Sequence, residues 1–287
     1  IRDRSPSRGL GDVYKRQLST RRIEGRNDRL VTIAILPMMS CAGRLPIYMM
    51  FVSALFPSHL QATVLFGIYA AGILLALLCA RLLKNTFFKT VQRDAPHRLK
   101  RLRIPSLRKV GLLMWSRAFM YVRKAGTFIL GASIILWFLN TYPRPEEGTA
   151  ENAAAAMEHS YAGQIGHWME PVTRVAGFDW KVNSALLGAF AAKEIFVTQM
   201  GILYAVQDGD SGPEAQQTLN TRLKASYTPL QGISIMIFCL IALPCIGTVT
   251  VAKREAGTWW FALAQFAGLT VMGFVTATVV YQVGLLL

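Results

Sequence analysis

The feature that most constrains this chain is a series of apolar stretches, each long enough to cross a lipid bilayer as a helix. A spanning helix needs roughly 20 mainly apolar residues. Such stretches occur at residues 31–56, 60–83, 118–139, 182–206, 230–252 and 259–287. Only 16% of the 287 residues are charged, whereas soluble domains carry about 25%. The sequence therefore predicts an all-α, polytopic membrane helical bundle with about six transmembrane helices.

Positive charge is concentrated at the N-terminus and in one segment between apolar stretches. The formal net charge is +15, and residues 84–117 contain ten Lys or Arg against a single acid, Asp94. Basic residues gather on the cytoplasmic side of membrane proteins. This segment is therefore predicted to face the cytosol and anionic lipid headgroups, and nucleic acid is not expected as a partner.

The charges also predict a topology. Residues 140–181 contain six acids and three bases, so they are expected outside the cell. If residues 182–206 cross the membrane once, the polar segment 207–227 returns to the cytoplasm and both termini lie inside. Lys253 and Arg254 then fall outside, against the charge rule. Either a short-loop exception or a broken fifth span explains this conflict, and the sequence does not choose between them.

The first seventeen residues differ from the rest. They carry no apolar core, so they are not a signal peptide. They resemble translated adaptor sequence, and the alternative is a genuine basic tail. We expect residues 1–17 to be a non-native tail and residues 18–287 to be a permease domain.

Two apolar segments are interrupted by proline and glycine, at about 31–56 and about 230–256. Irregular backbone at membrane depth occurs where it is buried or lines a cavity, and transporters place their sites at such breaks in corresponding halves. The parallel composition of the two segments predicts an inverted repeat with a site between the breaks. The residues expected to support these two gate segments are Pro37, Gly43, Arg44 and Pro46 in the first and Pro244 and Gly247 in the second.

Cysteine supplies the candidate metal ligands within the two gate segments. Cys41 and Cys245 each lie beside the interrupting residues, and thiolates bind divalent transition metals. The alternative is that each is a small buried hydrophobe, which is how we interpret Cys79 and Cys239.

Glu194 is the sharpest single candidate. An ionisable side chain inside a span is expensive and indicates function. Lys193 precedes it, and the small residues Gly188, Ala189, Ala191 and Ala192 allow close helix packing. The alternative is that Lys193 neutralises the Glu194 charge locally. In that case the chain could be a purely structural membrane subunit.

An enzymatic role is not expected. The four histidines, His59, His97, His159 and His167, all lie outside the predicted spans, and no nucleotide-binding glycine motif occurs. We interpret His159 and His167, with Glu158, as a solvated loop and not as a metal-collecting group.

Three segments resemble the ferrous-iron transport protein B (FeoB) family: residues 20–48, residues 188–194 (GAFAAKE) and residues 244–259. The resemblance implies a multi-pass protein of the bacterial inner membrane that passes Fe²⁺ between two gates. It implies that Cys41, Cys245 and Glu194 line the path, with Ser40 and Thr248 as oxygen ligands. The Ala42-Gly43 pair before Arg44 departs mildly from the family pattern.

The resemblance also implies partners. No permanently bound cofactor is expected; Fe²⁺ is the substrate, and GTP with Mg²⁺ belongs to a GTPase domain expected outside this chain. The implied partners are that domain, the lipid bilayer and small accessory Feo proteins, with homo-oligomerisation left open. Because the family's gate helices resemble those of nucleoside transporters, the alternative function is a stand-alone gate protein that carries a nucleoside-like solute.

Overall fold

The computed structural model describes most of the chain and is helical throughout its regular structure. The described residues are 26–39, 41–86, 111–112, 114–116, 119, 130–131, 133–143, 157–204, 213–242 and 244–286. Three helical stretches in this part of the chain are long and apolar enough to cross a membrane: Ser58–Asn85, Pro229–Thr250 and Trp259–Leu286. The predicted all-α membrane bundle is therefore confirmed. The tail at 1–17 and most of the predicted third span lie outside the described residues.

The first unit is a broken helix followed by a long straight one. Helix α1 (Arg26–Ile35) ends in a 3-10 turn, and a second 3-10 turn leads into α2 (Leu45–Leu55). Prolines 37 and 46 each occupy the first turn of the element that follows a break. Proline has no backbone N–H and cannot continue the ladder of a preceding helix. The long helix α3 (Ser58–Thr86) follows.

Four shorter helices form the middle of the chain. They are α4 (Tyr161–Thr173), α5 (Trp180–Ala191), α6 (Glu194–Leu203) and α7 (Pro213–Ser226). Side chains cap two of them: the Ser160 hydroxyl accepts from Gly163 N–H, and the Asp179 carboxylate accepts from Val182 N–H. Such caps satisfy N–H groups that a helix start leaves without partners.

The predicted fourth span at 182–206 is wrong, because α5 and α6 form an antiparallel hairpin. The Lys181 Nζ at the start of α5 lies 4.4 Å from the ring centroid of Tyr204, which follows the end of α6. Nearer the tip, Gly188 of α5 packs so closely against the Gln199 amide of α6 that a Cβ would have no room. Ala192 is extended, with φ −151° and ψ 134°, and turns the chain. Apolarity alone does not distinguish one long span from two half-length helices.

The hairpin overturns the predicted topology of the following segment. Tyr227 donates its hydroxyl hydrogen bond to Asp179, with its Oη 2.9 Å from both carboxylate oxygens. Arg222 on α7 also donates to the carbonyl of Tyr204. The described part of this segment, residues 213–227, therefore lies at the same end of the bundle as the start of α5, which we call the Tyr227 end.

The second unit repeats the architecture of the first. Helix α8 (Pro229–Ile241) starts with a capping box from Thr228 and Gln231, and it stops before Pro244. After the break comes α9 (Ile246–Ala256), which ends at Gly257 with φ 82°, a left-handed conformation that favours glycine. The long helix α10 (Trp259–Leu286) then runs back along both halves.

The two units run in opposite directions, as the predicted inverted repeat requires. At the Tyr227 end, the last residue of α2 meets the start of α8, where Gly232 packs directly against the Leu55 side chain. At the other end, Ile33 of α1 packs with Ala252 of α9 and Ala262 of α10. The Lys84 ammonium there lies 3.6 Å from the Asp28 carboxylate, and we call this the Lys84 end.

This arrangement resolves the conflict over Lys253 and Arg254. Both follow Ala252 at the Lys84 end, where the basic segment 84–117 begins. The described ends of the chain lie at opposite ends of the bundle, because Gln282 of α10 donates to the Val175 carbonyl near the Tyr227 end. For the described part of the chain, residues 26–286, the predicted topology with both ends on one side is therefore wrong. The topology prediction fails because it treats the α5–α6 hairpin as a single crossing.

Candidate functional site

Three backbone breaks meet in the interior of the bundle: residues 36–44, 192–193 and 242–245. Lys193, at the tip of the hairpin, donates from Nζ to the carbonyls of Cys239 and Ala242 at 3.3 and 3.4 Å. Its neighbour Glu194 reaches the first break, since a Cβ on Gly43 would lie 2.7 Å from Glu194 Oε1. The hairpin tip thus bridges the two gate segments.

Arg44 belongs to the first break and is almost fully buried, with 2% of its surface exposed. Its Nη1 donates to the carbonyl of Met38 at 3.4 Å, which covers the end of the 3-10 turn. Its Nε has no hydrogen-bond partner among the described residues. Within the same residues, Arg44 forms no ion pair with a carboxylate.

Lys193 places a second buried cation close to the first, with 7% of its surface exposed. Its ammonium lies within electrostatic range of Arg44 and of the thiols of Cys41, Cys239 and Cys245. The centre therefore combines two fixed positive charges with three sulfur atoms. Cations at the ends of half-helices stabilise the negative ends of their dipoles, which explains how these charges are tolerated.

Cys41 and Cys245 are half-buried, one in each gate segment. Cys245 is the N-cap residue of α9, and its sulfur lies 3.1 Å from the hydroxyl of the buried Thr248. The structure thus places the Thr248 hydroxyl beside a thiol. Ser40 lies outside the described residues. The roles of these side chains as iron ligands stay predictions.

Cys239 is buried in the hydrophobic core, as its interpretation as a small hydrophobe predicts. What sequence reasoning misses is that this residue of the last turn of α8 also lies near Lys193 and Arg44. The Pro244 break that follows α8 is the signal that could have found this position. Cys79 fits its packing role, with its sulfur 3.5 Å from Met272 Sδ.

Glu194 lies in the first turn of α6 with its side chain exposed. Its negative charge is favourable there, because a helix N-terminus carries partial positive charge. Lys193 is buried and Glu194 is exposed, so the pair does not neutralise itself locally. A carboxylate at an opening and thiols further inside can offer a cation successive ligands of different hardness.

The remaining gate-supporting residues flank the same centre. Pro37, Pro244 and Gly247 are buried, whereas Pro46 is exposed on the first turn of α2. Among the described residues, no three His, Cys, Asp or Glu side chains are arranged to hold one metal ion together.

Family models match two parts of the chain. The model described as "Ferrous iron transport protein B C terminus" matches residues 65–117. The model described as "Nucleoside recognition", called Gate, matches residues 122–259. The second match includes the hairpin and the α8–α9 break.

Curated relatives match nearly the whole chain. A fusion of Fe(2+) transport protein A and Fe(2+) transporter FeoB from Porphyromonas gingivalis is 35% identical over 97% of this chain and 37% of its own length. The Fe(2+) transporter FeoB of Campylobacter jejuni is 32% identical over 94% of this chain and 44% of its own. The Fe(2+) transporter FeoB of Staphylococcus aureus is 35% identical over 96% of this chain and 40% of its own length. The chain thus spans less than half of these relatives, and no solved structure matches it.

Proposed function

Because the chain belongs to the ferrous-iron transport protein B family, whose C-terminal portion it matches, we propose that it is the permease part of an Fe²⁺ uptake protein. The observation that carries this proposal is the meeting of three helix breaks around Cys41, Cys245 and Glu194. Broken helices of an inverted repeat are where transporters bind their ions. The relatives named Fe(2+) transporter supply the identity of the ion.

The geometry supports a stepwise passage. Fe²⁺ accepts both oxygen and sulfur ligands, so an exposed carboxylate at Glu194 can replace part of its water. Cys245 with Thr248 and Cys41 then offer softer ligands between the gates. Conduction requires that each site hold the ion weakly enough to release it. A path of one or two protein ligands at a time meets that condition.

The proposed setting is the bacterial inner membrane, with several passes. The Lys84 end faces the cytoplasm in this proposal, because the basic segment 84–117 adjoins it. A GTPase-bearing portion of the whole protein and small accessory Feo proteins are the proposed partners. The Porphyromonas gingivalis relative supports the second, since its name joins transport protein A and FeoB in one chain.

A nucleoside-like solute is the less favoured alternative. The Gate model carries the description "Nucleoside recognition", but relatives that cover the same residues are named Fe(2+) transporters. A nucleoside also has no need of thiols, so this alternative predicts that Cys41 and Cys245 can be replaced without loss of transport.

The test is uptake into proteoliposomes that contain the purified chain and a trapped dye quenched by Fe²⁺. We expect uptake by the native chain and its loss in the double variant Cys41→Ser, Cys245→Ser. The matched control is Cys79→Ser, which removes a thiol that packs away from the breaks. Undiminished uptake in the double variant would refute the thiol path. Uptake of a labelled nucleoside is measured in parallel. Nucleoside uptake without Fe²⁺ uptake would establish the alternative function.

A further inference from the structure

The last turn of α8 presents backbone carbonyls to the centre of the bundle. The final carbonyls of a helix lack N–H partners within it and lie at the negative end of its dipole. Pro244 has no N–H to offer the preceding turn. In broken membrane helices such carbonyls coordinate cations. The end of α8 therefore has the chemistry of a cation subsite.

A side chain of the protein already occupies this subsite. The Lys193 ammonium, from the tip of the α5–α6 hairpin, donates to the carbonyls of Cys239 and Ala242 at 3.3 and 3.4 Å. A buried charge inside a membrane is expensive, and no described carboxylate forms an ion pair with it. A neutral side chain could donate the same hydrogen bonds to these carbonyls. The hydrogen bonds alone therefore do not explain why the donor carries a charge.

The same charge acts on the thiols. Cys41, Cys239 and Cys245 all lie within electrostatic range of Lys193, as does Arg44. A divalent cation beside these sulfur atoms would face two fixed positive charges in surroundings that screen them poorly. Occupation of the carbonyls by Lys193 and occupation of the thiols by a metal ion therefore oppose each other.

We propose that Lys193 is a tethered cation that fills a carbonyl-lined subsite at the end of α8, and that a divalent cation at the neighbouring thiols must displace it. The second half of this proposal rests on the proposed function; the first half does not. The hairpin tip is then the moving part, because it carries Lys193 and joins both gate segments.

The first experiment measures Co²⁺ binding to the purified chain through thiolate-to-cobalt charge-transfer absorption. Lys193→Gln keeps N–H donors for the carbonyls and removes the charge, so we expect Co²⁺ to bind about tenfold more tightly. The control is Lys181→Gln on the same hairpin. The Lys181 ammonium lies over the Tyr204 ring at the Tyr227 end, so this variant should leave the Co²⁺ affinity unchanged. Equal affinity in native chain and Lys193→Gln overturns the competition.

The second experiment tests the subsite without any transition metal. Lys193→Ala should lower the thermal unfolding temperature, and n-propylammonium chloride should restore it, because a free alkylammonium can replace the tethered one. Choline chloride, which has no N–H, should not. Equal restoration by both salts, or by neither, overturns the subsite. If no protein gives the cobalt band, the thiol path of the proposed function fails, while this titration still decides the subsite. Should Lys193→Ala not fold, the same titration is made on Lys193→Met.

Discussion

Gly43 has a specific task at the scale of single residues, because its missing side chain leaves room for the Glu194 carboxylate. A methyl group there would lie 2.7 Å from Glu194 Oε1, closer than atoms in contact allow. The opposing atom is the end of a flexible side chain, so the carboxylate would move and the backbone would stay. A substitution at Gly43 can therefore move the Glu194 carboxylate without disturbing the fold.

We expect Gly43→Ala to fold with nearly unchanged thermal stability but to lower Fe²⁺ uptake about tenfold, the usual scale for disturbing a metal ligand's surroundings. Uptake into proteoliposomes measures the effect. Gly67→Ala is the matched control, since a methyl group there meets nothing within 4 Å. Unchanged uptake in Gly43→Ala would remove Glu194 from the path.

The residue types of this site were predictable, and their spatial relations were not. Cys41 and Cys245 stand out in sequence because they lie near proline and glycine in apolar stretches, and Glu194 stands out as an ionisable residue inside a predicted span. Cys239 has no proline or glycine beside it, and the carbonyl partners of Lys193 belong to the backbone, which every residue carries. Only the folded chain shows which carbonyls a break leaves available.

At the scale of elements, α10 passes the α8–α9 break at very short range. A Cβ on Gly273 would lie 2.7 Å from Ala242 Cβ and 3.0 Å from its backbone nitrogen. Backbone atoms cannot swing aside as the Glu194 carboxylate can. Gly273 therefore fixes the distance between the long helix and the break.

Gly273→Ala should destabilise the chain by about 1–3 kcal/mol, the range for overpacked interiors, measured as a lower unfolding temperature in detergent. Gly268→Ala on the same helix meets nothing within 4 Å and should be neutral or slightly stabilising, because alanine is the better helix former. If both variants unfold at the native temperature, α10 does not hold the break in place.

The hairpin is closed at its base by Asp179, which caps α5 and accepts from Tyr227. Burial raises the pKa of Asp179, although hydrogen bonds from Val182 and Tyr227 and the charge of Lys181 oppose the shift. Burial likewise raises the pKa of Tyr227, so its hydroxyl keeps its proton and donates. An acid whose folded pKa is raised contributes stability below its unfolded pKa, about 3.9, and loses that contribution as pH rises through the folded value.

We expect Asp179→Asn to abolish the contribution of residue 179 to the pH dependence of the unfolding temperature. Asparagine is an equally good N-cap, and its oxygen can still accept from Tyr227. Unfolding temperatures measured from pH 4 upwards should therefore fall less steeply for the variant than for the native chain. A steeper fall in the variant would mean that the ionised carboxylate stabilises the hairpin base.

At the scale of the whole molecule, the α5–α6 hairpin decides which polar segments share a side. The all-α bundle, the two broken segments and the inverted repeat follow from apolar length and proline positions, and all were predictable. The hairpin was not, since a stretch of 25 residues satisfies the length of one crossing and of two half-crossings equally. The charge conflict at Lys253 and Arg254 was the only sign of it in the sequence.

Single-cysteine labelling distinguishes the two topologies. In a background with the native cysteines replaced by serine, His159→Cys and Lys224→Cys should react with an impermeant maleimide from one side of sealed vesicles. Lys84→Cys and Arg254→Cys should react from the other side. A simple crossing at 182–206 instead predicts that Lys224 labels with Lys84.

The opposite placement of the described chain ends has a practical consequence. Helix α1 begins at the Lys84 end, and α10 finishes at the Tyr227 end. With the Lys84 end in the cytoplasm, as proposed, a reporter enzyme or fluorescent tag joined after α10 would be exported, and only reporters that fold outside the cytoplasm would be seen.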